Sequence, residues 1–463
     1  MGIYSETQIP NGSYRITQKE NAMEKLIVCL NHINAFLWNG PLLFLLSFAH
    51  LFFTRQFFPQ KFLWQAIKLS MCPGKSSAKE SHGLSSFATL ATTLAATLGT
   101  GNIVGVSTAI ALGGPGALFW CFLTGLFGMA TAYCECYLSC LYRTATEKRE
   151  ACGGPMYVMK QGLHAGRMGK FYAFCVILAA VGVGCTTQSS AMADAAFCAF
   201  HLSPHIIGIG AAVLCGFVIL GGKKSIGTFC SRLVPPLSLV YMAACIFLLW
   251  CNRGYLGNTF LLILSSAFTK KAATGGFCGS TFLLAARYGI ARGLFTNEAG
   301  IGTAAIAAGS SATPDPVHQA LVSMTAVFWD TIVMCTLTGF TIISSMLAHK
   351  DSTVSYSDAG LTTAAFSFLP FFGEEFLTLS LIAFAVATLV GWCYLGEKGV
   401  TYCFGKKALA SYHLIYIVMI YLGAVLPMQL VWSFTDFINA VMVLPNVLCL
   451  FLLYKKIGKP YRI

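Results

Sequence analysis

Residues Phe87–Leu112 read FATLATTLAATLGTGNIVGVSTAIAL, without a single charge. At about 1.5 Å per residue, an uninterrupted helix of this length crosses a bilayer. Its middle, Gly99-Thr100-Gly101-Asn102 with Gly105 close behind, is where it opens. Glycine is a poor helix former, and two glycines around a threonine invite the backbone to part. Opened backbone inside lipid needs a partner for each freed N–H and C=O, so it is tolerated where it lines a cavity. A substrate and a coupled ion can be those partners. The same small residues also suit close packing of two helices. A second interrupted span, Phe295-Thr296-Asn297-Glu298-Ala299-Gly300-Ile301-Gly302, favours the first reading.

The chain around this stretch has 463 residues, 56% hydrophobic and only 10% charged. A soluble domain carries roughly 25% charged residues, so this is a polytopic membrane protein. The net charge of +13 sits in loops between spans and does not point to nucleic acid. Nineteen cysteines are scattered singly, as at Cys121, Cys198, Cys245 and Cys449, with no CxxC pair; they read as small inert hydrophobes. There is no HExxH, GxSxG or His/Cys cluster, so an enzyme is not expected, and no cofactor is. No P-loop points to ATP, and no acidic ring or carbonyl filter points to a channel. Residues 1–28 are polar and of mixed charge. They lack a signal peptide's apolar core and read as a surface segment.

Apolar runs predict an all-α architecture with eleven transmembrane helices, at about 33–53, 86–112, 117–142, 171–200, 205–221, 233–251, 287–311, 317–348, 374–396, 409–427 and 430–454. With the N-terminus outside and the C-terminus in the cytoplasm, 21 lysines and arginines fall in cytoplasmic segments and 7 outside, which favours that orientation. Setting the first span aside leaves ten, and the breaks fall in the first and sixth. That spacing predicts an inverted five-plus-five repeat with the ligand site at the two breaks. The expected organisation is a surface segment (1–28), an extra helix with a basic loop (29–85), a first five-helix repeat (86–252), a connection (253–286), a second repeat (287–456) and a tail (457–463). A half-helix N-terminus suits a carboxylate, while unwound carbonyls and a hydroxyl suit a small hard cation such as sodium. A zwitterionic amino acid fits a pair of such breaks. Glu298 is an acid in an apolar span, either a coupling group or a tie between helices. Asp330 either ties helices or faces a vestibule. Asp194 is a candidate proton or ion site, while His201 and His205 need no role.

GTGNIVGVSTAIALGGPGALFWCFLTGLFGMATAYCE (Gly99–Glu135) closely resembles the alanine/glycine:cation symporter family. So do GGPMY (Gly153–Tyr157), SRLVPP (Ser231–Pro236), ARGLFTNEAGIGTAAIA (Ala291–Ala307), WDTIVMCTLTG (Trp329–Gly339) and GWCYLGEK (Gly391–Lys398), in family order across about 35–455. The resemblance implies a leucine-transporter-like fold, cation-coupled uptake of alanine or glycine, and a bacterial inner-membrane setting. By motif, Gly99, Thr100, Gly101 and Asn102 would bind the substrate carboxylate, and Phe295, Thr296 and Asn297 would supply the facing break. Gln188 matches a pocket glutamine, and Trp392 an aromatic that closes over the substrate side chain. The cation would take carbonyls of Ala95 and Leu98 and the Thr388 hydroxyl. The chain departs from the family pattern at Ser190, where an asparagine is usual, and at Thr303, Ala305 and Ala308 after NEAGIG. It also has Ala387 before Thr388, where two hydroxyl residues are usual. The lost hydroxyl keeps a second reading in view: a proton-coupled symporter or an amino-acid exchanger on the same fold.

Overall fold

The computed structural model describes residues 25, 27–38, 40–71, 84–145, 151–268, 282–350, 360–426 and 428–462. The expected surface segment 1–28 lies almost wholly outside them, as do 72–83 and 269–281 of two expected connections. Apart from a two-residue hairpin, β1 (Thr144–Ala145) against β2 (Ala151–Cys152), the described elements are helices. The first half runs α1 (Ile27–Phe57), α2 (Leu63–Met71), α3 (Ser86–Thr97), α4 (Val106–Gly113), α5 (Gly116–Leu141), α6 (Pro155–Gly162), α7 (Gly166–Val181), α8 (Thr187–Phe200), α9 (Pro204–Leu220) and α10 (Gly222–Cys251). There follow α11 (Leu256–Phe268), α12 (Phe282–Asn297), α13 (Thr303–Ala308), α14 (Pro316–Val327), α15 (Thr336–Ala348), α16 (Leu361–Phe366), α17 (Gly373–Phe404), α18 (Leu409–Val425) and α19 (Met428–Leu453).

Among the described residues, eight helical runs are long and apolar enough to cross a membrane, or nine if α3 and α4, bent by 54°, form one span. Two of the eleven expected spans differ. The first, α9, is a shorter apolar helix of 17 residues, and the second is divided between α12 and the six-residue α13. Helix α10 begins at Gly222 rather than 233 and takes in the basic residues expected in a loop, with Pro235 and Pro236 inside it. Helix α11 forms within the expected connection.

Local chemistry sets the helix starts. Ser85 accepts from the Ala88 N–H to cap α3, Ser203 from the His205 N–H at α9, and Asp315 from the Val317 N–H at α14, the last two with proline in the first turn. Three π-helical turns interrupt longer helices. Gly101–Gly105 precedes α4, Gly182–Thr186 joins α7 to α8, and Phe328–Cys335 joins α14 to α15. Such wide turns are rare and appear frequently at functional sites.

The two interrupted spans run antiparallel. The start of α3 meets the segment after α13: Leu84 exchanges backbone bonds with Ser310 and Ala312 (3.1 and 2.8 Å), and Ser86 Oγ meets Thr313 Oγ1 at 2.6 Å. Arg143 donates to the carbonyls of Ser311 (3.1 Å) and Thr313 (2.8 Å), where the chain's own donors have run out. Gly153 and Gly309 close the same end; a Cβ at Gly153 would stand 2.6 Å from the Gly309 Cα. The opposite end is open. A cavity of about 270 Å³ lies there, lined by one face of α4 (Thr108 to Leu112), one face of α12 (Arg287 to Phe295), Trp38 and Asp436.

Candidate functional site

Helix α3 ends at Thr97, and after the Leu98 N–H, which still donates to the Leu94 carbonyl, the helix offers its last carbonyls no further donor. The structure supplies substitutes from elsewhere. Trp392 Nε1 on α17 donates to the Ala96 carbonyl at 3.2 Å, and Thr388 Oγ1, one turn earlier, donates to the Leu98 carbonyl at 3.3 Å. The freed amides are met likewise. The Gly99 N–H donates to Asn102 Oδ1 (3.2 Å), and the Thr100 N–H to Gln188 Oε1 on α8 (3.4 Å). A Cβ on Gly99 would stand 2.8 Å from Thr388 Oγ1 and 3.0 Å from Gln188 Oε1, so only glycine leaves these side chains their places. Thr388 Oγ1 also reaches the Phe384 carbonyl at 3.0 Å. One hydroxyl hydrogen serves one carbonyl at a time, so Leu98 O, Phe384 O and Thr388 Oγ1 form an oxygen-rich cluster suited to a hard cation. Ala387 is fully buried beside it and contributes no hydroxyl.

All three π-turns stand around this break. The first opens it. The second carries Gly184, whose missing side chain is where Trp392 packs. The third carries Asp330, fully buried, whose Oδ1 accepts from Asn102 Nδ2 at 2.7 Å while Oδ2 accepts from the Thr331 hydroxyl at 2.7 Å. Asp330 thereby fixes the Asn102 amide with its oxygen toward Gly99. It acts as a positioning residue for the break, a more direct part than the sequence indicated.

The second break faces the first: a Cβ on Gly101 would lie 2.9 Å from Thr296 Cγ2. Phe295 lines the open cavity with Arg292, whose guanidinium lies over the Phe295 ring. The helix is broken between α12 and α13 through Glu298 (φ 53), Gly300 (φ 97) and Gly302 (φ 97). At Gly300 and Gly302 a Cβ would also collide, with Leu46 and Pro155 respectively. The protein fills this break itself. Glu135 Oε1 accepts from the Gly300 N–H (2.9 Å) and from Asn446 Nδ2 (2.6 Å), which also donates to the Gly300 carbonyl (2.9 Å). Tyr172 donates to the Ile301 carbonyl at 2.7 Å, and Thr303 Oγ1 donates to Glu298 Oε2. Glu298 is thus a tie within its own loop. Asn297 Oδ1 accepts from the Ala299 N–H, while its Nδ2 has no hydrogen-bond partner among the described residues and lies near Gly128 and His50 Nε2.

Ala95, Leu98, Gly99, Thr100, Gly101, Asn102, Gln188, Thr388 and Trp392 therefore assemble at the first break. Phe295, Thr296 and Asn297 lie across from them. Asp194 does not join either group and is exposed on α8. Asn446 escaped the sequence reading, although a lone asparagine in an apolar span is a signal for a buried hydrogen bond.

Residues 23–462 match the family model described as the sodium:alanine symporter family. The chain is 40% identical to the sodium/alanine symporter AgcS of Methanococcus maripaludis, over 92% of this chain and 94% of that one. It is 38% identical to an uncharacterized transporter of Haemophilus influenzae, over 92% and 94%. It is 33% identical to YrbD of Bacillus subtilis, named as a candidate sodium/proton-dependent alanine carrier, over 91% and 89%.

Proposed function

The chain belongs to the sodium:alanine symporter family, and from that premise we propose that it imports small neutral amino acids, alanine and glycine, together with sodium. It is a multi-pass membrane transporter and not an enzyme. The observation that carries the reading is the first break, whose freed backbone groups are met by neutral side chains through bonds of 3.2–3.4 Å. A zwitterion can take their place: its carboxylate at the N–H groups of Thr100 and Gly101, its small side chain beneath Trp392. Sodium fits the cluster of Leu98 O, Thr388 Oγ1 and Phe384 O, with the Ala95 carbonyl completing it.

The fold reads as eleven crossings, with α9 and the α12–α13 pair added to the nine, and as two inverted five-helix units of leucine-transporter-like type. The antiparallel broken spans support this. With the N-terminus outside, in a bacterial inner membrane, the cavity at Phe295 opens outward and the Arg143 closure seals the cytoplasmic side. Transport then alternates: the cavity closes over bound substrate, and the bonds linking 84–86 with 310–313 release. Sodium orders the opened backbone first, so the amino acid meets an arranged site.

Proton coupling or exchange is the second reading, favoured by Ala387 and by the name of the B. subtilis relative. Asp194, exposed on α8, lends it no support as an ion site at the break. Labelled alanine uptake into proteoliposomes separates the readings. Uptake driven by a sodium gradient and indifferent to a pH gradient is expected. Uptake that follows only pH moves the coupling ion elsewhere, and no uptake under any gradient overturns the proposal.

A further inference from the structure

Helices α17 and α18 form a tight antiparallel hairpin turned at Gly405 (φ 79). A ladder of side-chain bonds zips it. Tyr416 donates to the Leu389 carbonyl (2.8 Å), Tyr412 to the Cys393 carbonyl (3.2 Å), and His413 Nε2 meets Glu397 Oε1 at 2.7 Å. Cys393 and Glu397 are four residues apart on α17, so both project from one face. His413 enters from α18 one turn past its start. The three ligand atoms, Cys393 Sγ, a Glu397 oxygen and a His413 nitrogen, all lie within 4.8 Å of one another. No cluster of this kind is legible in the sequence, because the hairpin alone brings these residues together.

We propose that Cys393, Glu397 and His413 form a binding site for a thiophilic divalent cation, zinc or cobalt, separate from the coupling-ion site. Zinc bonds of about 2.3 Å to sulfur and about 2.0 Å to nitrogen or oxygen hold tetrahedral ligand atoms roughly 3–4 Å apart, which small side-chain rotations reach here. Thiolate and imidazole together select such ions over sodium or magnesium, which prefer oxygen. Cys393 is fully buried, whereas the side chains of His413 and Glu397 are 15% and 11% exposed, which gives an entry path beside a buried sulfur. Binding releases the Cys393 thiol proton to solvent, and the Nε2 proton that His413 donates to Glu397 moves to Nδ1, so that Nε2 and the Glu397 carboxylate exchange their hydrogen bond for the ion; water completes the tetrahedron. The ion clamps α17 to α18. Because α17 carries Thr388 and Trp392, the clamp slows transport; this last step rests on the proposed function, while the binding itself does not.

The test is titration of the purified full chain with Co²⁺ under conditions that keep thiols reduced. One Co²⁺ per chain is expected, with a thiolate-to-cobalt charge-transfer band that Zn²⁺ displaces. Cys393→Ser and His413→Gln should each weaken binding by about 10–100-fold. His413→Gln can still donate to Glu397, so a folded variant is expected if the hydrogen bond is all the hairpin needs. Absence of the band at stoichiometric Co²⁺, or a band unchanged in either variant, overturns the site. In proteoliposomes Zn²⁺ should slow alanine uptake several-fold, reversibly with a chelator, and leave His413→Gln unaffected. Zinc inhibition that survives in His413→Gln overturns the clamp. If the chain transports nothing, the cobalt titration still decides the site.

Discussion

The two breaks solve one problem in opposite ways. Each opens a helix and must satisfy the freed backbone. At Gly99–Asn102 the partners are a glutamine, a threonine, an asparagine and a tryptophan, at 3.2–3.4 Å. At Glu298–Gly302 they include a glutamate, an asparagine and a tyrosine, at 2.7–2.9 Å. Charge-assisted bonds are shorter and roughly twice as strong as neutral ones. On the proposed function, the first break exchanges its partners and the second keeps them. A site that binds and releases needs the former, and a pivot that survives each cycle needs the latter.

The comparison is easiest to break at its tightest point. Gly99→Ala places a methyl against Thr388 and Gln188, so alanine uptake should fall by about 100-fold, as misplaced binding groups commonly cost. Uptake kinetics alongside a thermal unfolding scan check this; a large loss of fold instead of uptake would make the first break structural. Glu135→Ala should do the reverse. It leaves the Gly300 N–H unpaired and takes from the Asn446 amide one of its two acceptors, which costs about 2–3 kcal/mol in denaturant unfolding, with the KM of the folded fraction unchanged. A KM change without a stability change would put the second break in the binding site.

Smaller effects sharpen the division of labour. Thr388→Val removes the only side-chain oxygen in the proposed cation cluster. The sodium concentration for half-maximal uptake should rise about 10-fold, equivalent to roughly 1.4 kcal/mol, and Thr388→Ser should restore it. Gln188→Ala gives up a 3.4 Å bond, so KM for alanine should rise only about five-fold, near 1 kcal/mol, with unfolding unchanged.

Much of this was legible in the sequence, and the limits have physical causes. Both breaks announce themselves because glycines interrupt otherwise apolar spans. The functional asymmetry between them does not, because it depends on partners far along the chain: Glu135 meets Gly300 and Asn446, and Asn102 meets Asp330. Asp194 drew attention as an unplaced acid, yet its side of α8 is exposed. Apolar periodicity cannot tell an acid on a buried helix face from one on an outward face when both faces are apolar. The π-turns at Gly182–Thr186 and Phe328–Cys335 were not legible either, since a wide turn is defined by which carbonyl an amide chooses.

Those wide turns have a mechanical consequence. A π-turn stores one residue more than the α-turns on either side of it. The surplus can slide along the helix by passing hydrogen bonds from one carbonyl to the next, without the span coming apart. Each such step turns the intervening side chains by about 100° around the axis. Gln188, Asp330 and the GTGN backbone each sit on or beside such a turn. The chain thus carries slack in its helical winding at the place where partners must change hands, and it can spend rotation where a rigid helix would have to break.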